Sequence, residues 1–180
     1  MSAIDRIRED RFVAILRSPT DLDAAAEELV AAGVGVLEIT LDTPGALEAI
    51  ERWAGRATVL AGTVRTQSDA DTAVAAGAEA LVSPTLVFLE HKVPHVPGAF
   101  TPTEVETGWR SGAPLVKLFP AAALGPAYVR SLLGPLADVQ LLVTGGITAD
   151  NVQDFLAAGA VAVGADSSRA LSVWRAVKNA

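Results

Sequence analysis

The chain has no cysteine, one methionine, one tyrosine and only two histidines in 180 residues. The missing cysteines exclude disulfides, thiolate catalysis and cysteine-held metals, and they suit a cytoplasmic setting. His91 and His95 form no metal-ligand spacing such as H-E-x-x-H, and no metal is expected. No apolar stretch approaches the ~20 residues that span a bilayer. The opening Met1–Asp10 lacks the apolar core of a signal peptide, so neither membrane insertion nor export is expected. Positive charge is scarce as well: 14 Lys and Arg against 21 Asp and Glu leave a formal net charge of −7. A broad basic surface for nucleic acid is thereby excluded, whereas a local pocket for a small anion is not.

What the chain has in quantity is apolar side chains, 51% of residues against 19% charged. Such a composition describes a core-rich globular protein. Its length suits a single domain over residues 1–180, able to bury roughly 70% of its unfolded surface.

Short β-rich runs alternate with helical patterns. Strands are predicted over Phe12–Arg17, Gly35–Leu41, Thr58–Val64, Ala80–Pro84, His95–Phe100, Leu115–Pro120, Val139–Gly146 and Val161–Asp166. Helix starts are written at Pro19-Thr20-Asp21, Thr43-Pro44, Thr66 to Asp69 and Thr101-Pro102-Thr103. Gly33, Gly77 and Gly159 each follow an Ala-Ala pair, the place of a left-handed helix C-cap. Eight strands alternating with helices and no long linker predict a compact α/β domain, a (β/α)8 TIM barrel. A doubly wound open sheet is the alternative, but no G-x-G-x-x-G follows the first strand. The fourth helix, Thr85–Lys92, is expected to be short, about two turns. A last helix over Ser168–Lys178 closes the ring.

Lys117 stands alone in the apolar run Pro114-Leu115-Val116-Lys117-Leu118-Phe119-Pro120. Burying an ammonium costs several kcal/mol unless it is paired or loses its proton. A desolvated amine is a nucleophile toward carbonyls and forms Schiff bases. The competing reading is a strand-end lysine whose stem lies on apolar surface while its ammonium reaches water. Strand alternation puts Lys117 and Phe119 on one face, and likewise Glu38 and Thr40 opposite Leu37, Ile39 and Leu41. In a barrel the apolar set faces the helices, leaving amine and carboxylate to meet in the lumen, where they suit proton transfer to and from an imine. A structural Lys–Glu ion pair is the alternative. Arg17 offers a planar fork for a carboxylate or phosphate, or is a surface arginine at a strand end. Thr144-Gly145-Gly146 exposes backbone N–H groups to an anion, or is a plain left-handed turn.

In order and spacing, several segments resemble the class I pyruvate aldolases of the 2-keto-3-deoxy-6-phosphogluconate / 4-hydroxy-2-oxoglutarate aldolase family along nearly the whole chain. They are Val13–Arg17, Leu37–Thr40, Ala61–Val64, Val82–Pro84, Pro97-Gly98 with Thr101–Glu104, Leu115–Pro120, Gly125-Pro126, Gly134-Pro135 and Thr144–Gly146. The resemblance implies Lys117 as the Schiff-base lysine and Glu38 as general acid and base. It assigns the pyruvate carboxylate to Thr63 and Arg17, the shape of the pocket to Thr40 and Phe119, and one wall to Pro84. Thr144, Gly145, Gly146, Gly164 and Ser167 complete the expected substrate-binding set, the glycine turn and the start of the last helix holding a distal phosphate or carboxylate. The implied protein is a cytoplasmic homotrimer that needs neither metal nor cofactor and acts on a small 2-keto acid and an aldehyde.

Two positions depart from the pattern. Asp42 stands where many members have an arginine, and Arg17 is the expected replacement donor. Asp166-Ser167 stands where members often carry Gly-Ser to grip phosphate. An inward Asp166 predicts weaker binding of phosphorylated substrates, whereas an outward one leaves Ser167 to donate. Two further readings stay open: a cofactor-free phosphosugar isomerase or epimerase on a similar barrel, and a non-catalytic barrel that binds or assembles.

Overall fold

A computed structural model describes residues 1–179; the last residue of the expected domain span, Ala180, lies outside them. Nine parallel strands are present: β1 (Phe12–Leu16), β2 (Val36–Thr40), β3 (Thr58–Gly62), β4 (Ala80–Val82), β5 (His95–Val96), β6 (Gly98–Ala99), β7 (Val116–Leu118), β8 (Leu141–Thr144) and β9 (Ala162–Asp166). They hydrogen-bond in the order β5-β4-β3-β2-β1-β9-β8-β7-β6. β5 and β6 are the two halves of the expected fifth strand, parted by Pro97, which has no N–H to give a ladder. Since β5 pairs with β4 and β6 pairs with β7, that broken strand closes a TIM-like barrel.

The helices are α1 (Ala3–Asp10), α2 (Leu22–Ala31), α3 (Ala46–Trp53), α4 (Gln67–Ala75), α5 (Pro102–Arg110), α6 (Gly125–Leu133), α7 (Val152–Ala157) and α8 (Ser167–Lys178). Thr43-Pro44 does not open α3, which starts at Ala46 after a left-handed Gly45, because the Thr43 hydroxyl is taken by the Ser18 N–H and Thr40; three other starts follow the expected chemistry. Asp21 caps α2, Thr66 forms a capping box with Asp69 on α4, and Thr101 forms one with Glu104 on α5. Gly33, Gly77 and Gly159 turn the chain back to the sheet at φ 87°, 103° and 110°.

The expected fourth helix is absent. Residues 85–94 run as an irregular strap. Thr85-Leu86-Val87-Phe88-Leu89 has no helical periodicity and Pro84 and Pro94 bound the segment, so no amphipathic face draws it into a helix. The Gln67 side chain of α4 clamps the strap, donating to the Glu90 carbonyl at 2.7 Å and accepting from the Glu90 N–H at 2.9 Å. Conversely, α1 is a helix where the sequence drew no element. Ser2 and Asp5 form its capping box, and Ile4 and Ile7, one turn apart, are buried.

Two apolar clusters follow from strand alternation. The larger lies between sheet and helices and takes Leu37, Ile39, Val116, Leu118, Val163 and Ala165. The smaller fills the lower lumen, where Ile4 and Ile7 of α1 meet Val13, Val36, Leu60, Leu115 and Leu142. The N-terminal end of the barrel is thus plugged, and the C-terminal end is left for polar groups.

Candidate active site

Above that plug the lumen turns polar. Glu38 on β2 and Lys117 on β7 point inward, as the alternation required, and Lys117 Nζ donates to Glu38 Oε1 at 3.0 Å. The carboxylate is fully buried and the lysine is 4% exposed, so the snorkelling reading fails. Gly62 makes the room: a Cβ there would collide with Glu38 Oε1. Glu38 Oε2 and the Thr144 hydroxyl on β8 are buried without a partner among protein atoms. Buried polar atoms nearly always find partners, so both mark hydrogen-bonding capacity that the protein itself leaves unused. The Phe119 ring lies 5.7 Å from Lys117 Nζ.

A cavity of about 240 Å³ opens over this pair, lined by Ile15, Arg17, Lys117, Phe119, Thr144, Gly145, Gly146, Gly164 and Asp166. Gly145 and Gly146, at φ 89° and 75°, turn the chain at the end of β8 in a conformation that side-chained residues resist. A larger groove of about 630 Å³ runs outside the barrel between α4 and the strap. Its Glu90, His91 and Lys92 are exposed, and it holds no buried acid–base pair.

Arg17 follows β1 at the rim. Its Nη2 donates to Thr63 Oγ1 at 3.0 Å, and its Nε lies 3.9 Å from Asp42 Oδ2. Thr63 holds this position at φ 60°, a left-handed conformation that a β-branched residue rarely adopts. Partial burial pushes the Asp42 carboxyl upward, but the Thr40 hydroxyl and the Arg17 charge together hold it below the usual carboxylate range. Asp42 is therefore an anion that both orients Arg17 and competes for it.

Of the expected residues, Arg17, Lys117, Phe119, Thr144, Gly145, Gly146 and Gly164 share the cavity wall. Glu38 and Thr63 stand one hydrogen bond behind it, through Lys117 and Arg17. Three do not reach the wall. Thr40 faces inward, but its hydroxyl meets Thr43 Oγ1 at 3.0 Å and the Leu16 carbonyl at 3.4 Å. Pro84 abuts Gly98 behind the broken strand, and Ser167 is already the first residue of α8. Ile15 and Asp166 complete the wall, although neither was among the expected binding residues.

Beneath the strap, Ser83 Oγ and His95 Nε2 lie 2.7 Å apart. Burial, and secondarily the charge of His91, push His95 down to about 4, so it is neutral at pH 7. Among the described residues no group of three or more His, Cys, Asp or Glu side chains is placed to hold a metal ion, and no helix is long and apolar enough to cross a membrane.

The chain is similar to known proteins over most of its length. A 2-dehydro-3-deoxy-phosphogluconate aldolase of Haemophilus influenzae is 34% identical over 166 residues, 86% of this chain and 78% of its own. The crystal structure of a 4-hydroxy-2-oxoglutarate/2-dehydro-3-deoxyphosphogluconate aldolase from TTHB1 superposes with a TM-score of 0.84 at 33% identity, covering 99% of this chain and 98% of that one. KDPG aldolase from Legionella pneumophila, solved with pyruvate captured at low pH as a covalent carbinolamine intermediate, gives a TM-score of 0.83 at 28% identity over 99% of this chain and 92% of that one. The family model for KDPG and KHG aldolases matches residues 3–175, and the chain belongs to that family.

Proposed function

We propose that the protein is a class I aldolase, a carbon–carbon lyase that cleaves a 2-keto-4-hydroxy acid reversibly to pyruvate and an aldehyde. The observation that carries this reading is the buried Lys117–Glu38 contact of 3.0 Å at the floor of the cavity. The carbinolamine captured in the Legionella relative supports the same chemistry here.

The contact allows a proton to pass from Lys117 to Glu38, leaving an amine that adds to the C2 carbonyl of the substrate. Glu38 returns that proton to the departing hydroxyl, so that loss of water gives a protonated imine, held against the Phe119 ring, and the carboxylate is again free to act as a base. Glu38 then takes the proton of the C4 hydroxyl. The C3–C4 bond breaks, its electron pair enters the imine to give an enamine, and the C4 carbon leaves as an aldehyde. Protonation at C3 and attack of water on the imine release pyruvate and restore Lys117. Arg17, held by Thr63, faces the pyruvate carboxylate as a charged donor. The Thr144 hydroxyl, unpartnered on a residue of the cavity wall, supplies a hydrogen bond to the reacting oxygens.

The imine is itself the electron sink, so the proposal includes no metal and no external cofactor. From family resemblance it extends to a cytoplasmic homotrimer, for which light scattering gives three times the chain mass. The test of the activity is release of pyruvate from a 4-hydroxy-2-keto acid, measured with and without a chelator. Equal rates, lost in Lys117→Ala, are expected. Turnover that disappears with the chelator, or that survives in Lys117→Ala, contradicts it.

A further inference from the structure

In β9, Val163 and Ala165 belong to the outer core, whereas Ala162 belongs to the lumenal one and Gly164 lies against Thr144. The same alternation brings Asp166 inward, onto the cavity wall. Its carboxylate is not consumed there. Asp166 is the N-cap residue of α8, yet its side chain makes no capping hydrogen bond. Its one hydrogen bond, from Ser168 Oγ, is 3.5 Å long, and among the described residues it joins no ion pair.

The positive charge available at the cavity is limited. Arg17 and Lys117 are the cationic side chains on its wall. Lys117 is committed to Glu38 and the imine, and Arg17 to Thr63 with Asp42 beside it. A helix N-terminus ordinarily attracts phosphate, but that of α8 already carries the Asp166 carboxylate. A phosphate dianion at the distal end would meet this carboxylate with no free cation to offset it. Hydroxyl groups there would instead find an acceptor.

We propose that Asp166 is a specificity-determining residue that selects substrates whose distal end carries hydroxyl groups and no negative charge. The proposal rests on the aldolase reading and narrows it to unphosphorylated 2-keto-4-hydroxy acids. The alternative role for Asp166 is to complement the α8 dipole, which concerns stability alone.

The experiment compares kcat/KM for pyruvate release from 2-keto-3-deoxygluconate and from its 6-phosphate ester, in the wild type, Asp166→Asn and Asp166→Ser. The wild type should prefer the unphosphorylated acid by about tenfold or more, and both variants should move the ratio toward the ester by a similar factor. Added salt should narrow the wild-type ratio, because the carboxylate is exposed at the cavity mouth. A ratio that stays fixed while the melting temperature falls assigns Asp166 to helix capping and overturns the proposal. Borohydride trapping of pyruvate on wild-type Lys117 separates the two levels. Without an adduct the aldolase reading fails and takes this proposal with it. An adduct accompanied by preference for the ester, or by no cleavage of the unphosphorylated acid, overturns this proposal alone.

Discussion

The two ends of the barrel lumen are built from the same strands and do opposite work. On β2, Val36 faces Ile7 in the apolar plug, Glu38 two residues later holds Lys117, and Thr40 two residues further is tied to the rim through Thr43. The lower end is sealed by side chains that leave water on folding, and the upper end buries an ion pair and two unpartnered oxygens. Burial of apolar area stabilises, whereas a buried pair roughly breaks even against its desolvation. Stability should therefore be concentrated below and activity above.

The sharpest break in that comparison is at Lys117. Its replacement by Ala should lower kcat/KM by at least about 10⁴-fold, because the covalent step is gone. It also strands Glu38 in the lumen, so stability should fall by about 3–5 kcal/mol. Converting the pair together, Lys117→Met with Glu38→Leu, should leave activity lost but recover most of the stability in a urea melt. Glu38→Gln alone should cost on the order of 10²–10⁴ in kcat. At the other end, Ile7→Ala should cost about 2–4 kcal/mol of stability while the folded enzyme keeps kcat/KM within about twofold. A large activity loss there, with the fold intact, would break the division between the ends.

The outer wall supplies a pH test. The unfolded chain takes up a proton on His95 near its ordinary 6.5, the folded protein only near 4, so acid favours unfolding between those values. Wild-type stability should fall by about 3 kcal/mol from this group as pH drops through that window, and His95→Gln should flatten that part of the slope. The smallest expected effect is at the rim. Asp42→Asn releases Arg17 from a competing anion and should tighten pyruvate binding by about two- to fivefold in a titration. Weaker binding would mean that Asp42 serves mainly to position Arg17.

How much of this was legible depended on period and contrast. β2 and β7 alternate apolar and polar residues, so the meeting of Glu38 and Lys117 could be read from spacing alone. β9 reads Ala162-Val163-Gly164-Ala165-Asp166, small apolar residues with little contrast, and the direction of Asp166 emerged only with the register against β1. α1 escapes a reading from sequence because Ile4 and Ile7 mark too short a stripe to establish a helical period. A helix over Thr85–Lys92 is what a barrel expects there, whereas the residues of the strap carry no helical period of their own. The Arg17–Thr63 bond joins chain segments 46 residues apart and depends on a left-handed Thr63 that no local pattern announces.

The central claim is that Lys117 forms an imine with pyruvate. Sodium borohydride reduction in the presence of pyruvate, followed by intact and peptide mass spectrometry, tests it most directly. One reduced pyruvyl adduct is expected, confined to Lys117 and absent from Lys117→Ala. A folded wild-type protein that gives no adduct, or gives it elsewhere, would exclude imine chemistry at Lys117 and return the barrel to isomerase chemistry or to binding alone.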